Sequence, residues 1–64
     1  MRLELTSFEV LSDMKWMNGR QFAMARGLDS AKCTAEVEKD STLVVSQADH
    51  HTVYTFAPEV WRKK

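Results

Sequence analysis

The side chains with the most reactive chemistry in this sequence are one cysteine and two neighbouring histidines. Cys33 is a candidate thiol nucleophile, and His50 or His51 could act as the base that activates it. Asp49 lies next to the same histidines, but a zinc site needs three or four converging ligands. Nothing in the spacing brings these groups together, and the two glycines do not form a phosphate-binding loop. The sequence therefore predicts a protein that is not an enzyme and that holds no cofactor or metal.

Length and composition limit the remaining classes of function. The chain has 64 residues, of which 44% are hydrophobic, and this suits a single small domain with one core. Dimerisation is a common source of extra stability at this length, so a homodimer is one expectation. A single cysteine cannot form an internal disulfide, and no apolar run is long enough for a membrane span. We expect a cytoplasmic protein without a membrane partner.

The charged residues are balanced in number and uneven in position. Nine basic and nine acidic side chains give a formal net charge of zero, which argues against a nucleic-acid binder because such domains usually present a basic face. The last three residues, Arg62–Lys64, are nevertheless all basic, while Glu36, Glu38 and Asp40 form an acidic cluster near the middle. A surface with one basic side is therefore compatible with this sequence.

Three groups of residues carry signals for the start of a helix. In Thr6–Glu9 the threonine hydroxyl and the glutamate carboxylate are spaced as a capping box, and Asn18–Gln21 repeats that spacing. Asp29 offers a third helix cap, and Gly27 stands where the second helix must end. The predicted helices cover Ser7–Met14 and Gly19–Arg26, with a third beginning after residue 29.

Residues 31–39 have two interpretations. Cys33 and Val37 are four residues apart, as on one face of a helix, and the alanine, lysine and glutamate among them favour that structure. Cys33, Ala35 and Val37 also alternate with polar residues, as in a half-exposed strand. We predict the helix, and the strand stays open as the alternative.

The C-terminal half indicates β-structure. Thr42–Gln47 and Thr52–Phe56 are rich in β-branched and aromatic residues and are separated by a polar turn, which predicts an antiparallel hairpin. Arg2–Leu5 alternates like a short strand, and Pro58 can begin a final helical turn that folds Trp61 onto the core. The predicted fold is thus α+β, with short N-terminal helices followed by this hairpin and a short C-terminal helical turn. The predicted core consists of Leu5, Phe8, Leu11, Phe22, Ala23, Cys33, Val37, Val45, Trp61 and either Tyr54 or Phe56.

A short helix, a glycine turn and a second short helix form the outline of a helix-turn-helix. With Gly27 as the turn, Ala23 falls four residues before it, and Cys33 and Val37 fall six and ten residues after it, on the face that the second helix would bury. In this arrangement the chain resembles the Cro family of small phage repressors, in which a short strand, three helices and a hairpin follow in the same order. The resemblance implies a helix-turn-helix fold and a DNA-binding function.

A second resemblance uses the C-terminal residues differently. The order of helix, helix, β-hairpin and short aromatic-bearing helix is similar to phage excisionases and related winged-helix proteins, with Thr52–Trp61 as the outgoing wing strand and the closing helix. His50 and His51 would then lie at the tip of the wing. Both resemblances imply a small DNA-binding regulator of phage or mobile-element type, acting as a repressor or as a recombination or excision factor.

The residues that would contact double-stranded DNA follow from these resemblances. Arg20 would meet a phosphate at the start of the first helix of the motif, and Lys32 would lie near the start of the helix that enters the major groove. The full set of predicted nucleic-acid-binding residues is Arg20, Ser30, Lys32, Thr34, His50, His51, Arg62 and Lys63.

A protein-binding module is the alternative from a different class of function. If residues 32–38 form a strand, the C-terminal half becomes a three-stranded meander backed by two helices. An acidic strand edge and a net charge of zero would suit a small inhibitor or adaptor that docks on a host protein. The number of helices separates the two hypotheses, because three helices favour DNA and two favour a protein partner.

Overall fold

Seven short β-strands and one α-helix form the structure, a computed structural model that describes all 64 residues. The strands are β1 (Arg2–Leu3), β2 (Phe8–Ser12), β3 (Lys15–Asn18), β4 (Thr34–Val37), β5 (Leu43–Gln47), β6 (Thr52–Phe56) and β7 (Trp61–Lys63). The helix α1 covers Gly19–Ala25, and 3₁₀ turns lie at Leu5–Ser7, Ser30–Lys32, Ala48–His50 and Pro58–Val60. None of the helices is long and apolar enough to cross a membrane.

Two antiparallel sheets supply most of the core. The four-stranded sheet has the order β1-β4-β5-β6, and the three-stranded sheet has the order β3-β2-β7. Because side chains alternate along a strand, each sheet turns one face inward and one face outward. The core cluster consists of Phe8, Val10, Met17, Phe22, Ala35, Leu43, Val45 and Phe56.

Helix α1 begins at Gly19, as the sequence predicts, and ends at Ala25, one residue before the predicted end at Arg26. The backbone N–H of Gln21 donates to Asn18 Oδ1 at 2.8 Å, and the backbone N–H of Asn18 donates to Gln21 Oε1 at 3.0 Å. The second capping box is therefore confirmed. Gly27 follows the helix with a φ of +74°, in the left-handed region that glycine adopts without strain.

Close packing joins α1 to both sheets. A Cβ atom on Gly19 would lie 2.5 Å from the Phe8 ring, so the helix can begin this near to β2 only without a side chain at that position. Phe22 meets Tyr54 and Phe56 of β6 edge-on, with ring centroids 5.1 Å apart in each pair. These contacts fix the helix across the interior sides of the two sheets.

The first predicted helix is wrong, because Phe8–Ser12 forms β2 and not part of a helix over Ser7–Met14. β2 is the middle strand of its sheet, so it pairs with β3 on one side and with β7 on the other. Phe8 and Val10 are fully buried in this arrangement. That burial outweighs a helix cap, which contributes only about 1 kcal/mol. Thr6 lies instead in a 3₁₀ turn that no side chain caps.

The third predicted helix is also absent, because its residues follow the strand alternative and form β4. Asp29 does cap a helical turn, since its Oδ1 accepts the Ala31 N–H at 3.0 Å, but that 3₁₀ turn covers only Ser30–Lys32. Ala35 is then buried between β1 and β5, which pair with β4 on its two sides. The chain has no helix-turn-helix, and its order of elements differs from the one that the Cro and excisionase resemblances imply.

Two predictions for the C-terminal half are confirmed. β5 and β6 form the expected antiparallel hairpin, and Pro58 begins a 3₁₀ turn. β4, β5 and β6 also form the three-stranded meander of the alternative interpretation, but one α-helix accompanies it where that interpretation expected two. The expected acidic strand edge does not exist, because β1 covers the outer side of β4. β7 was not predicted from the sequence.

The predicted core is correct for about half of its residues. Leu11 is the clearest error: it is 37% exposed, because it follows the buried Val10 along β2 and so faces outward. Trp61 is half-buried, and its indole Nε1–H donates to the Ser41 carbonyl at 2.8 Å. The correctly predicted buried residues are Phe8, Phe22, Ala23, Val45 and Phe56, whereas Leu5, Cys33, Val37 and Tyr54 are only partly buried.

Candidate functional site

The residues predicted to bind DNA do not form one surface. They fall into three groups, which are Arg20, Ser30 and Thr34 in an open groove, Lys32, His50 and His51 around the β5–β6 turn, and Arg62 with Lys63 on β7. The helix that would have carried Ser30 to Thr34 into a DNA groove is replaced by a 3₁₀ turn and β4. No single element therefore aligns the three groups along a duplex.

The groove that holds Arg20 contains a second arginine, Arg2, and the only thiol, Cys33. Burial raises the pKa of the Cys33 thiol, and the carboxylates of Asp29 and Asp49 raise it further. The thiol is therefore protonated at neutral pH and is not an activated nucleophile.

A buried glutamine organises the polar groups near the β5–β6 turn. Gln47 is 1% exposed; its Oε1 accepts the Asp29 N–H at 2.8 Å, and its Nε2 donates to Asp49 Oδ1 at 2.6 Å. Lys32 Nζ meets Asp49 Oδ2 at 3.3 Å, and the Cys33 thiol lies 4.0 Å from Gln47 Oε1. We call these five residues the Gln47 network. It joins the turn before β4 to the turn after β5.

The polar groups of the Gln47 network bond to one another. The hydrogen bond from Gln47 lowers the pKa of Asp49, and Lys32 lowers it further. His50 and His51 are exposed next to the network, and neither is hydrogen-bonded to Cys33. No three acidic, histidine or cysteine side chains converge in a way that could hold a metal ion.

A different kind of surface lies on the outer side of the three-stranded sheet. Val10 and Met17 point into the core, so strand alternation turns their neighbours Leu11 and Trp16 outward. Leu11 and Trp16 are also cross-strand partners, which places their side chains next to each other. Together with the tip of the β2–β3 hairpin and the middle of β7, they form a surface that we name the Trp16 face, made of Leu11, Met14, Trp16 and Arg62.

Arg62 holds the Trp16 ring in place. Its guanidinium carbon lies 4.0 Å from the centroid of the Trp16 ring, a cation–π contact. Its Nε donates to Glu9 Oε1 at 3.0 Å across the β2–β7 pair, which directs the guanidinium toward the ring. Trp16 is 37% exposed in this arrangement. A large aromatic side chain is thus ordered and still accessible.

Met14 forms the tip of the β2–β3 hairpin and is 98% exposed. Asp13 and Met14 both have left-handed backbones, with φ values of +53° and +63°. A two-residue turn of this kind favours Asn-Gly or Asp-Gly, because an ordinary side chain at the second position is strained. The chain therefore carries a large apolar side chain at a position where it contributes nothing to the core and where glycine would fit better.

A small pocket lies between β3 and α1. Arg26, at the end of α1, donates from Nη2 to Ser12 Oγ at 2.9 Å, and Ser12 is the cross-strand partner of Lys15. Lys15 and Arg26 therefore lie at the same end of the β2–β3 hairpin, and neither forms a salt bridge. The pocket is lined by Lys15, Trp16, Met17, Gln21 and Ala25.

Of the Trp16 face, only Arg62 was among the residues that the sequence predicted as functional, and it was predicted to contact DNA. Leu11 was predicted in the core and Met14 in a helix, because both positions fit a helical spacing after Thr6. The useful signal was the pair Phe8 and Val10, two residues apart, which is the spacing of an inward-facing strand. The turn at Asp13 gave no such signal, since its second residue is a methionine.

No protein-family model matches this chain, and neither the curated proteins nor the solved structures include one with significant similarity to it. Among the surfaces of the protein, the Gln47 network satisfies its own polar groups, whereas the Trp16 face presents apolar groups to solvent.

Proposed function

We propose that this protein is a protein-binding module, an inhibitor or adaptor that docks on a partner protein through the Trp16 face. The observation that carries this proposal is the hairpin tip, where Met14 is 98% exposed on a strained backbone beside the accessible Trp16. Backbone strain that is unrelated to core packing is typical of positions used in binding.

The chemistry of the Trp16 face supports a protein partner. Tryptophan, arginine and methionine are enriched in protein interfaces, and tryptophan and arginine supply most of the residues that dominate binding energy. Trp16 and Arg62 are already held by the contact with each other and by Glu9. Because these side chains are ordered before binding, they would lose less conformational entropy when a complex forms.

Nucleic-acid binding is a second candidate, and one observation favours it. Arg62–Lys64 lie on the same sheet as Trp16 or directly after it, and an aromatic ring beside cations can stack on the bases of a single strand. The exposed Leu11 and Met14 have no role in such a complex, and the net charge of the chain is zero. The apolar composition of the face therefore favours a protein.

Photo-crosslinking from the hairpin tip tests the proposal. A benzophenone amino acid replaces Met14 in the full chain, and a matched control carries it at Val53, which is 63% exposed on the other sheet. Both variants are irradiated in the cells that produce the protein. We expect one discrete protein adduct from position 14, no such adduct from position 53, and loss of the adduct when Trp16→Ala is added.

Three results would contradict the proposal. Adducts to nucleic acid from position 14 would promote the second candidate. The same set of protein adducts from both positions would show only random collision, and so would an adduct that survives Trp16→Ala. Thermal melting of each variant confirms that a lost adduct does not result from unfolding.

A further inference from the structure

The four-stranded sheet ends in an open edge at β6. β6 pairs with β5 on one side, and the order of the sheet places no strand on its other side. Because successive residues of an antiparallel strand alternate in the direction of their N–H and C=O groups, every second residue of β6 directs these groups away from β5. No hydrogen bond from a turn, a loop or a side chain reaches the backbone of Thr52–Phe56. These outward groups therefore have no partner within the chain.

The other three sheet edges are protected in ways that β6 is not. β1 has two residues and β7 has three, whereas β6 has five. Short edge strands and charged side chains, lysine above all, prevent one sheet edge from pairing with another. The other three edges all carry such charges, which are Arg2, Lys15, Arg62 and Lys63. β6 contains no charge, no proline and no bulge, so it is the edge most open to a further strand.

The surroundings of β6 favour a second copy of this chain over a foreign peptide. Domains that bind extended peptides at a sheet edge obtain specificity from pockets that receive alternate side chains of the peptide. The three cavities of this protein include no residue of β6. A symmetric dimer requires only that the strand be compatible with itself, and a strand without charges meets no like charge in its copy.

We infer that β6 pairs antiparallel with β6 of a second copy, with the two Tyr54 residues opposite each other on a two-fold axis. This register pairs all five residues of the strand, since Val53 then faces Thr55 of the other copy and Thr52 faces Phe56. Val53 and Thr55 are exposed in the single chain, and pairing brings these two β-branched side chains together on the outer side of the sheet. The two four-stranded sheets become one continuous sheet of eight strands.

This pairing uses no residue of the Trp16 face, which belongs to the other sheet. The inference therefore goes beyond the proposed function and does not rest on it. A dimer carries two Trp16 faces, so a binding partner with two sites of its own would be held more tightly by the dimer than by a single chain.

Sedimentation equilibrium of the full chain tests the pairing with two matched double variants at exposed positions. In the inferred register, Val53→Lys with Thr55→Lys places like charges opposite each other, whereas Val53→Lys with Thr55→Glu places opposite charges there. We expect the wild type and the lysine–glutamate variant to sediment as two chains. At the same concentration the two-lysine variant should sediment as one chain. Thermal melting confirms that both variants remain folded.

Hydrogen exchange then locates the interface on the strand. Alternate amides of β6 should exchange more slowly at high protein concentration than at low concentration, because the dimer gives them hydrogen-bond partners. The edge amides of β3 and β7 should exchange at the same rate under both conditions. A concentration dependence at β3 or β7 in place of β6 would contradict the inference.

Several sedimentation results would also overturn it. A wild type that remains monomeric at millimolar concentration excludes the dimer. Dimers in both double variants exclude β6 from the interface, and dissociation of both excludes the inferred register. A dimer that dissociates on Trp16→Ala would place the interface on the Trp16 face. None of these results decides the proposed function, because the crosslinker at position 53 should capture only a second copy, and that adduct differs in mass from the partner adduct of position 14.

Discussion

The Gln47 network and the Trp16 face differ in whether their side chains find partners within the chain. In the network, a glutamine amide, a carboxylate and an ammonium group bond to one another within the chain. On the face, the side chains of Leu11, Met14 and Trp16 are exposed to solvent. Polar groups that bond to one another stabilise the fold, whereas apolar groups that remain exposed are available to another molecule.

Burial explains why the two regions differ. Gln47 is almost completely buried, and an unmade hydrogen bond at such a position costs about 1–3 kcal/mol, so its partners must come from the chain itself. Met14 meets solvent with 98% of its surface and so contributes almost nothing to folding. Substitutions in the two regions should therefore separate stability from binding.

The largest effect is expected at Gln47. Gln47→Ala removes acceptor and donor together and leaves the Asp29 N–H without its partner, so the free energy of unfolding should fall by about 1–3 kcal/mol. Urea denaturation measures this loss, with the exposed Thr55→Ala as a control that should change stability by less than about 0.5 kcal/mol. Equal stability of the two variants would show that the network does not hold the fold.

A smaller loss of stability and a larger loss of binding are expected at Trp16. Trp16→Ala removes the cation–π contact with Arg62, which contributes about 0.5–1 kcal/mol at an exposed site. The same change should abolish the crosslink from position 14. If Trp16→Ala lowers the free energy of unfolding as much as Gln47→Ala in the same urea series, Trp16 contributes to the fold like a core residue. That result would contradict the proposed difference between the two regions.

The smallest expected effect is a pH dependence of the free energy of unfolding, which arises from Asp49 in the Gln47 network. The hydrogen bond from Gln47 lowers the folded-state pKa of Asp49 below its ordinary value of 3.8. The ionised carboxylate therefore stabilises the fold above that value, and this contribution is lost as the pH falls through the folded-state pKa. Asp49→Asn should be less stable than the wild type at pH 7, and the difference should shrink in strong acid. Denaturation of both proteins at pH 7 and in strong acid measures this. An equal stability difference between Asp49→Asn and the wild type at the two pH values would contradict this role for the carboxylate.

The sequence predicted those elements whose local signals agree with their tertiary setting. The Asn18–Gln21 capping box and the β5–β6 hairpin are of this kind. Thr6–Glu9 carries an equally good cap signal, but the strand that follows lies between two others and buries Phe8 and Val10. Pairing with β7, which comes from the far end of the chain, cannot be read from local spacing.

The candidate site was even less visible in the sequence. Arg62 was predicted as functional only because of its charge. Its contacts with Glu9 and Trp16 exist because β2 lies between β3 and β7 in the sheet, and this strand order is not visible in the sequence. Exposure of Trp16 likewise depends on which face of β3 meets the core. A sequence pattern gives the period of a strand, whereas the partner strands decide what the outward residues do.

The substitution Met14→Gly tests the central claim most directly, because it sets stability against binding at one residue. It gives the turn the Asp-Gly pair that its backbone favours, so the free energy of unfolding should rise by about 1 kcal/mol. If the hairpin tip is part of a docking face, the same variant should bind the partner that crosslinks from position 14 more weakly than the wild type does. A more stable variant that binds with unchanged affinity would show that Met14 is only a tolerated turn residue, and would contradict the account of the Trp16 face.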